Sequence, residues 1–260
     1  MFCMSCNPNA TKQVYDLTGQ NVYLDAATHI FDDMVATGYN ATCGGLWWKR
    51  DKKDNNAIEN ELFLSLAAHL ATRKPNKEYY RNWALRHWSW FESTGMINQD
   101  WLVNDGLDLA TCKNNNKTIW TYNQGVIIRG LLELNRLAPN NTFLEIANKI
   151  AKAAISRLSD SAGILHDQSE VNGSEDVPTF KGVFMRHLKG LVDVTKDKTY
   201  SDFILKNANS IWSNNRNQTN NQLGPVWSGP LYENVTNAVT QGAALDAIVA
   251  AAAIQRNEQS

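Results

Sequence analysis

Four stretches of this chain carry its unusual loop residues, three with flat aromatic faces and one with Asn and Asp alone: Thr42-Cys43-Gly44-Gly45-Leu46-Trp47-Trp48, Trp120-Thr121-Tyr122-Asn123-Gln124-Gly125 and Pro178-Thr179-Phe180-Lys181-Gly182, and Val103-Asn104-Asp105-Gly106-Leu107. Trp and Tyr beside Asp, Asn and Lys suit neutral sugar rings, whose C–H faces stack on aromatics while their hydroxyls need polar partners. Each residue also has a plainer reading. Trp47 and Trp48 serve equally well as plugs against a core, and so do Trp120 and Tyr122. Asp105, followed by Gly106, caps a turn or helix as readily as it meets a ligand. Lys181 and Arg186 stand either as ligand contacts or as surface and structural partners.

Other chemistries are less well supported. Adjacent Asp32-Asp33 has the composition of a glycosidase pair, in which two carboxylates divide nucleophile and acid/base duties, but its place late in a helix opened by Tyr23 reads as a solvated face. Asp100 and Asp108 are loop acids without a clear partner. The five His residues show neither metal-ligand nor Ser-His-Asp spacing, so no metal or cofactor is expected. Cys3 and Cys6 form a C-x-x-C with no following βαβ pattern and no second pair, which favours free or structural thiols over zinc or redox chemistry. Cys43 and Cys112 each follow Thr between helices, so one disulfide would suit an oxidising compartment, with the pairing open.

The elements that must carry these loops are announced by a repeated, aromatic-led helix opening. Tyr23-Leu-Asp-Ala-Ala, Tyr79-Tyr-Arg-Asn-Trp-Ala, Phe143-Leu-Glu-Ile-Ala and Tyr200-Ser-Asp-Phe-Ile begin 56, 64 and 57 residues apart. Such a period holds two helices and two loops, which marks an all-α solenoid or its closed form, a toroid of helical hairpins. Apolar steps of three and four predict a short helix ending at Asp16-Leu17-Thr18-Gly19, then helices over 23–35, 58–71, 79–91, 123–137, 143–158, 180–194, 203–212 and 241–254. The stretches 58–71, 126–134 and 243–254 are the least charged and are expected to line the centre. Each of the four loops precedes a proposed inner helix, so a toroid would gather all four at one rim.

An apolar fraction of 43% over 260 residues allows one sizeable core, and the repeat favours a single domain over residues 1–260. With 25 basic and 26 acidic side chains, a net charge of -1 favours neither a nucleic-acid groove nor an anionic membrane and points to a neutral partner. No run of about 18 apolar residues suggests a transmembrane segment, and Met1-Phe2-Cys3-Met4-Ser5-Cys6 lacks the regions of a signal peptide. Sequons at Asn9, Asn40, Asn116, Asn140, Asn172, Asn217 and Asn234 are a clue to export, although an Asn-rich chain produces such triplets by chance.

These motifs together resemble glycoside hydrolase family 76, the endo-acting α-1,6-mannanases, and particularly its fungal members. The resemblance is carried by Phe31-Asp32-Asp33-Met34, Cys43 to Trp48, Asn56-Ala57-Ile58-Glu59-Asn60-Glu61-Leu62-Phe63, Gly95-Met96-Ile97, Asn104 to Leu107, Trp120 to Gly125, Gly163-Ile164-Leu165 and Phe180-Lys181-Gly182-Val183-Phe184-Met185-Arg186. They run in order through nearly all of the chain after about residue 12. The resemblance implies an (α/α)6 barrel that hydrolyses internal α-1,6 linkages of mannan with retention, using adjacent aspartates at the mouth of an inner helix.

In the family's order that Asp-Asp pair opens the inner helix before Tyr23, a helix kept here only as its end around Tyr15-Asp16-Leu17-Thr18-Gly19. The expectation is therefore a barrel incomplete at its N-terminus, with its first helices missing and no catalytic residue carried over. The resemblance implies sugar-contacting or supporting roles for Trp47, Trp48, Asn60, Asp105, Trp120, Tyr122, Phe180, Lys181 and Arg186. It also implies α-1,6-mannan or a mannoprotein glycan as partner, a secreted or cell-wall setting for the full-length form, and an exposed barrel edge through which copies could associate. A non-catalytic mannan-binding or cell-wall protein is the alternative.

Overall fold

A computed structural model describes residues 8–258, so Cys3 and Cys6 lie outside the described residues. The helices are α1 (Pro8–Thr18), α2 (Asn21–Asp33), α3 (Ala57–Arg73), α4 (Lys77–Ser93), α5 (Thr121–Leu137), α6 (Asn141–Arg157), α7 (Phe180–Thr195), α8 (Lys198–Asn214) and α9 (Ala238–Glu258). Extended structure among the described residues is limited to isolated bridges and one two-stranded pair, β1 (Leu107–Asp108) and β2 (Lys113–Asn114). The expected all-α architecture of helical hairpins is the one found.

The recurrent aromatic occupies the same place each time. Tyr23, Tyr79, Phe143 and Tyr200 are each the third residue of their helix, α2, α4, α6 and α8. Four helix starts are set by Asn or Asp, whose side chains accept the first orphan N–H groups. Asn56 and Glu59 form a reciprocal capping box at α3. Asn140 caps α6, Asp197 caps α8 and Asn237 caps α9. The Asp197 cap explains why α8 begins at Lys198, five residues before the apolar pattern that predicts it.

The chain divides into two compact units, one holding the sequence up to Ile119 with Arg129–Asn148, the other Trp120–Ile128 and Lys149 onward. In the first, α3 packs on α1, α2 and α4. Nearly every α3 residue from Ala57 to Ala71 is buried, as expected of an inner helix. Phe31 stacks on Phe63 at 5.2 Å and meets Tyr80 edge-on at 5.1 Å, anchoring this core. Aromatic pairs of this geometry contribute roughly 0.5–1.5 kcal/mol beyond area burial.

In the second unit, α7 packs on α8 and α9. Glycine permits the closest approach: a Cβ on Gly182 would stand 2.7 Å from the Ala243 backbone, and one on Gly125 would stand 2.7 Å from that of Phe184. Helix α9 departs from expectation. Ala243, Ala244 and Ala247 are buried, but Leu245 and Val249 are 43% and 63% exposed, so it is an inner helix on one face only. Its stretch Ala238–Asn257 is long and apolar enough to cross a membrane, with mean hydropathy 1.3, although Gln241 and Asp246 break the apolar run.

Candidate functional site

The aromatic–polar loops fall into two groups, one in each unit. In the first unit the segments around Trp47 and Asp105 are tied to the start of α3. Asn60 is fully buried and works as a bracket: its Oδ1 accepts the Leu46 N–H at 2.8 Å, and its Nδ2 donates to Asn55 Oδ1 at 3.0 Å and to the Asn56 carbonyl at 2.7 Å. The Ala57 N–H donates to the Asp105 carbonyl at 2.8 Å, and the Leu107 N–H to that of Asn55 at 2.9 Å. Gly106 is required here, because a Cβ would come within 2.6 Å of the Asn55 carbonyl oxygen. Cys43 and Cys112 form a disulfide that joins the two loops.

Trp47 and Trp48 emerge from this bracket half-buried, their backbone N–H groups held by the carbonyls of Gly38 and Asp54, each at 2.8 Å. The Lys49 ammonium lies 3.6 Å from the Trp48 ring centroid, a cation–π contact that occupies part of that face. On α3 the charge arrangement is unusual. Glu61 is fully buried, with no hydrogen-bond partner for either oxygen. Burial first, then the negative charges of Glu59 and Asp105, raise its pKa well above the ordinary carboxylate range and favour the protonated acid.

The second unit gathers Trp120 and Tyr122 at the start of α5 with Phe180 at the start of α7. Phe180 lies 5.4 Å from Trp120 and 4.1 Å from Tyr122, and all three rings are half-buried. Lys181 is fully buried beneath Trp227, its ammonium 4.7 Å from that ring centroid. It donates to Glu170 Oε2 and to the Pro225 carbonyl, both at 2.5 Å. Burial depresses its pKa, and the Glu170 carboxylate opposes that shift.

Four residues that the sequence reading missed complete this group. Asp167 accepts the Thr121 N–H at 2.9 Å and the Thr121 hydroxyl at 2.5 Å. Burial pushes the Asp167 carboxyl up to about 6, against the pull of those two bonds. Glu170 pairs with His166 Nδ1 at 2.7 Å, and His166 Nε2 lies 3.1 Å from Asp160. The hydrogen bond and charge of Glu170, with Asp160, raise the His166 pKa. The available signal was the run His166-Asp167-Gln168-Ser169-Glu170, polar and directly after apolar Gly163-Ile164-Leu165.

Asn60 and Lys181, being fully buried, act on a ligand only through what they hold. Arg186 stands apart, its guanidinium donating to Asp246 at 2.9 Å on a half-exposed surface, about 9 Å along α7 from Phe180. Asp33 pairs with Arg50 at 3.2 Å with both side chains well exposed, in keeping with a solvated face. No cluster of His, Cys, Asp and Glu fit for a metal ion exists among the described residues. Of the sequons, Asn40 is buried with its Oδ1 accepting from Thr42 and Cys43, whereas Asn116, Asn140, Asn172 and Asn234 are exposed.

What the geometry offers is a set of half-open aromatic faces backed by buried amides and carboxylates, the arrangement that sugar recognition uses. The model of Glycosyl hydrolase family 76 matches residues 3–260, and the chain belongs to that family. The mannan endo-1,6-alpha-mannosidase DCW1 of Candida albicans is 29% identical over 191 residues, which cover 68% of this chain and 42% of that protein. DCW1 of Eremothecium gossypii is 34% identical over 122 residues, 43% of this chain and 27% of its own length. The chain thus spans less than half the length of these curated relatives.

Among solved structures, the Lin0763 protein from Listeria innocua superimposes with a TM-score of 0.85 at 27% identity, covering 99% of this chain and 74% of that one. An inactive variant of the α-1,6-mannanase GH76A of Salegentibacter sp. HEL1_6, with two aspartates changed to asparagine and α-1,6-mannotriose bound, gives a TM-score of 0.84 at 22% identity over 96% of this chain and 75% of that one. Their all-α fold is the fold of this chain.

Proposed function

We propose that residues 1–260 form one family 76 domain that presents a binding surface for α-1,6-linked mannan, the polymer on which its fungal relatives act as endo-1,6-α-mannosidases. The observation that carries this reading is the half-buried cluster of Trp120, Tyr122 and Phe180 on a chain of this family, supported by the half-buried Trp47 and Trp48. Flat rings hold successive mannoses in register, and retaining hydrolysis then needs one carboxylate to attack the anomeric carbon and a second to protonate the departing oxygen. By motif order the family's aspartate pair precedes Tyr15, where residues 1–14 hold no acidic side chain, and Asp32-Asp33 does not take its place. These 260 residues therefore bind mannan without hydrolysing it, since losing both carboxylates removes attack and protonation together.

The disulfide and the exposed sequons support a secreted or cell-wall setting of fungal type. The apolar stripe of Leu245 and Val249 on α9 supports self-association. The deciding experiment incubates the purified chain with linear α-1,6-mannan and records both reducing-end release and binding. Binding without release is expected. Release that disappears in Asp105→Asn would overturn the missing-carboxylate argument and place chemistry at the start of α3, while neither binding nor release would remove mannan as the ligand.

A further inference from the structure

Helix α5 lacks the local Asn or Asp cap that α6, α8 and α9 carry. Helices α3, α6, α8 and α9 are each preceded by Asn or Asp, and at α6, α8 and α9 that side chain takes an N–H of the first turn. The corresponding position before α5 is Trp120. An indole has no acceptor for a helix N-terminus, and a missing cap costs about 1 kcal/mol or more. The acceptor comes instead from Asp167, 46 residues further on, which takes both donors of Thr121. Thr121 stands directly between Trp120 and Tyr122, so fixing its N–H and hydroxyl fixes the backbone from which both rings leave.

The same short turn also holds the third ring. Glu170 accepts from Lys181, the residue after Phe180, and also from the Asp167 N–H, the latter at 3.4 Å. Asp167 and Glu170 thus act as one keystone, with the first anchoring the start of α5 and the second the start of α7. A carboxylate is costly to bury, and each here has a specific set of donors. An ordinary local cap would have served α5 if stability were the sole requirement.

We propose that Asp167 is a positioning residue, with Glu170 its counterpart on α7, and that together they hold Trp120, Tyr122 and Phe180 in the relative arrangement that receives a sugar ring. The sugar rests on the mannan-binding reading above; the positioning does not. The ligand would be a neutral hexose within a linear oligosaccharide, met by ring faces rather than by charge.

The test uses the full chain labelled with 5-fluorotryptophan, the Trp120 resonance being assigned by Trp120→Phe, and measures ¹⁹F spectra and the affinity for α-1,6-mannotetraose. Asp167→Ala should shift or broaden the Trp120 resonance while leaving most of the other tryptophans in place, and should weaken binding at least tenfold. Asp167→Asn, which keeps an acceptor, should recover most of the affinity. If Asp167→Ala does not fold, Thr121→Val, which removes only the hydroxyl donor, should still move the Trp120 resonance and weaken binding about threefold. Unchanged Trp120 resonance and affinity in the folded variants would overturn the proposal. A moved resonance in a chain whose wild type binds no mannotetraose would uphold the positioning and reject the mannan reading.

Discussion

The indole of Trp90 fills the space that a side chain on Gly45 would need: a Cβ there would lie 2.1 Å from the ring. The same indole donates Nε1–H to the Cys43 carbonyl at 2.8 Å, and Gly45 holds φ at +68°. Gly45→Ala therefore meets both a left-handed backbone and an occupied volume. The expected loss is about 3 kcal/mol, read as a fall in the urea midpoint with an unchanged slope. A loss below about 1 kcal/mol would mean that the loop moves freely away from Trp90.

The disulfide of Cys43 with Cys112 closes a separation of 69 residues and joins the loop before α3 to the β1–β2 turn. Constraint of the unfolded chain by a loop of that size contributes about 4 kcal/mol. The double variant Cys43→Ser, Cys112→Ser should lose about that much in denaturant titration, and a reducing agent should destabilise the wild type alone.

Glu61 sets one pH dependence. Its pKa is raised in the folded state by burial and by Glu59 and Asp105, so the unfolded chain ionises first as pH rises above about 4.5. The folded state then carries a growing penalty, at most about 1.4 kcal/mol for each pH unit, until its own pKa is reached. Glu61→Gln removes that penalty. Its stability relative to wild type should climb as pH rises above about 4.5, and a difference flat in pH would show that Glu61 titrates alike in the folded and unfolded chains.

His87 acts in the opposite sense. It is fully buried against Phe63 and the Asn60 carbonyl, and burial lowers its pKa from 6.5 to about 3. Stability that is full above pH 6.5 is lost as pH falls toward 3, because only the unfolded chain takes up the proton. Between pH 6.5 and 4.5 the wild type should lose roughly 2 kcal/mol more than His87→Gln. Equal losses would assign the acid sensitivity to other groups.

The hairpins were legible in the sequence because they are written locally. An aromatic third residue, an apolar period and an Asn or Asp before the first turn all lie within one helix, as Phe143 with Asn140 illustrates. Where a local signal was overlooked, as at Asp197, the error was a boundary and not an element. The loops with Trp47, Trp120 and Phe180 were visible because aromatic and polar residues cluster in them, and that of Asp105 because Asn, Asp and Gly stand together. Their supports were not, since Asp167 and Thr121 meet across 46 residues and nothing in either neighbourhood specifies the other. Glu61 was hidden differently, as an acid beside Glu59 and Asn60 whose burial no periodicity reveals.

The amide of Thr121 belongs to a class of N–H groups that ordinarily exchange with solvent almost unhindered, those of a first helical turn. Held by Asp167 and fully buried, it is withdrawn from that exchange, and the end of α5 cannot fray. Rings mounted on a fraying turn would have to be ordered at each encounter, with the lost freedom subtracted from affinity. Here that ordering is completed when the chain folds, so an incoming ligand meets a surface already in its bound shape.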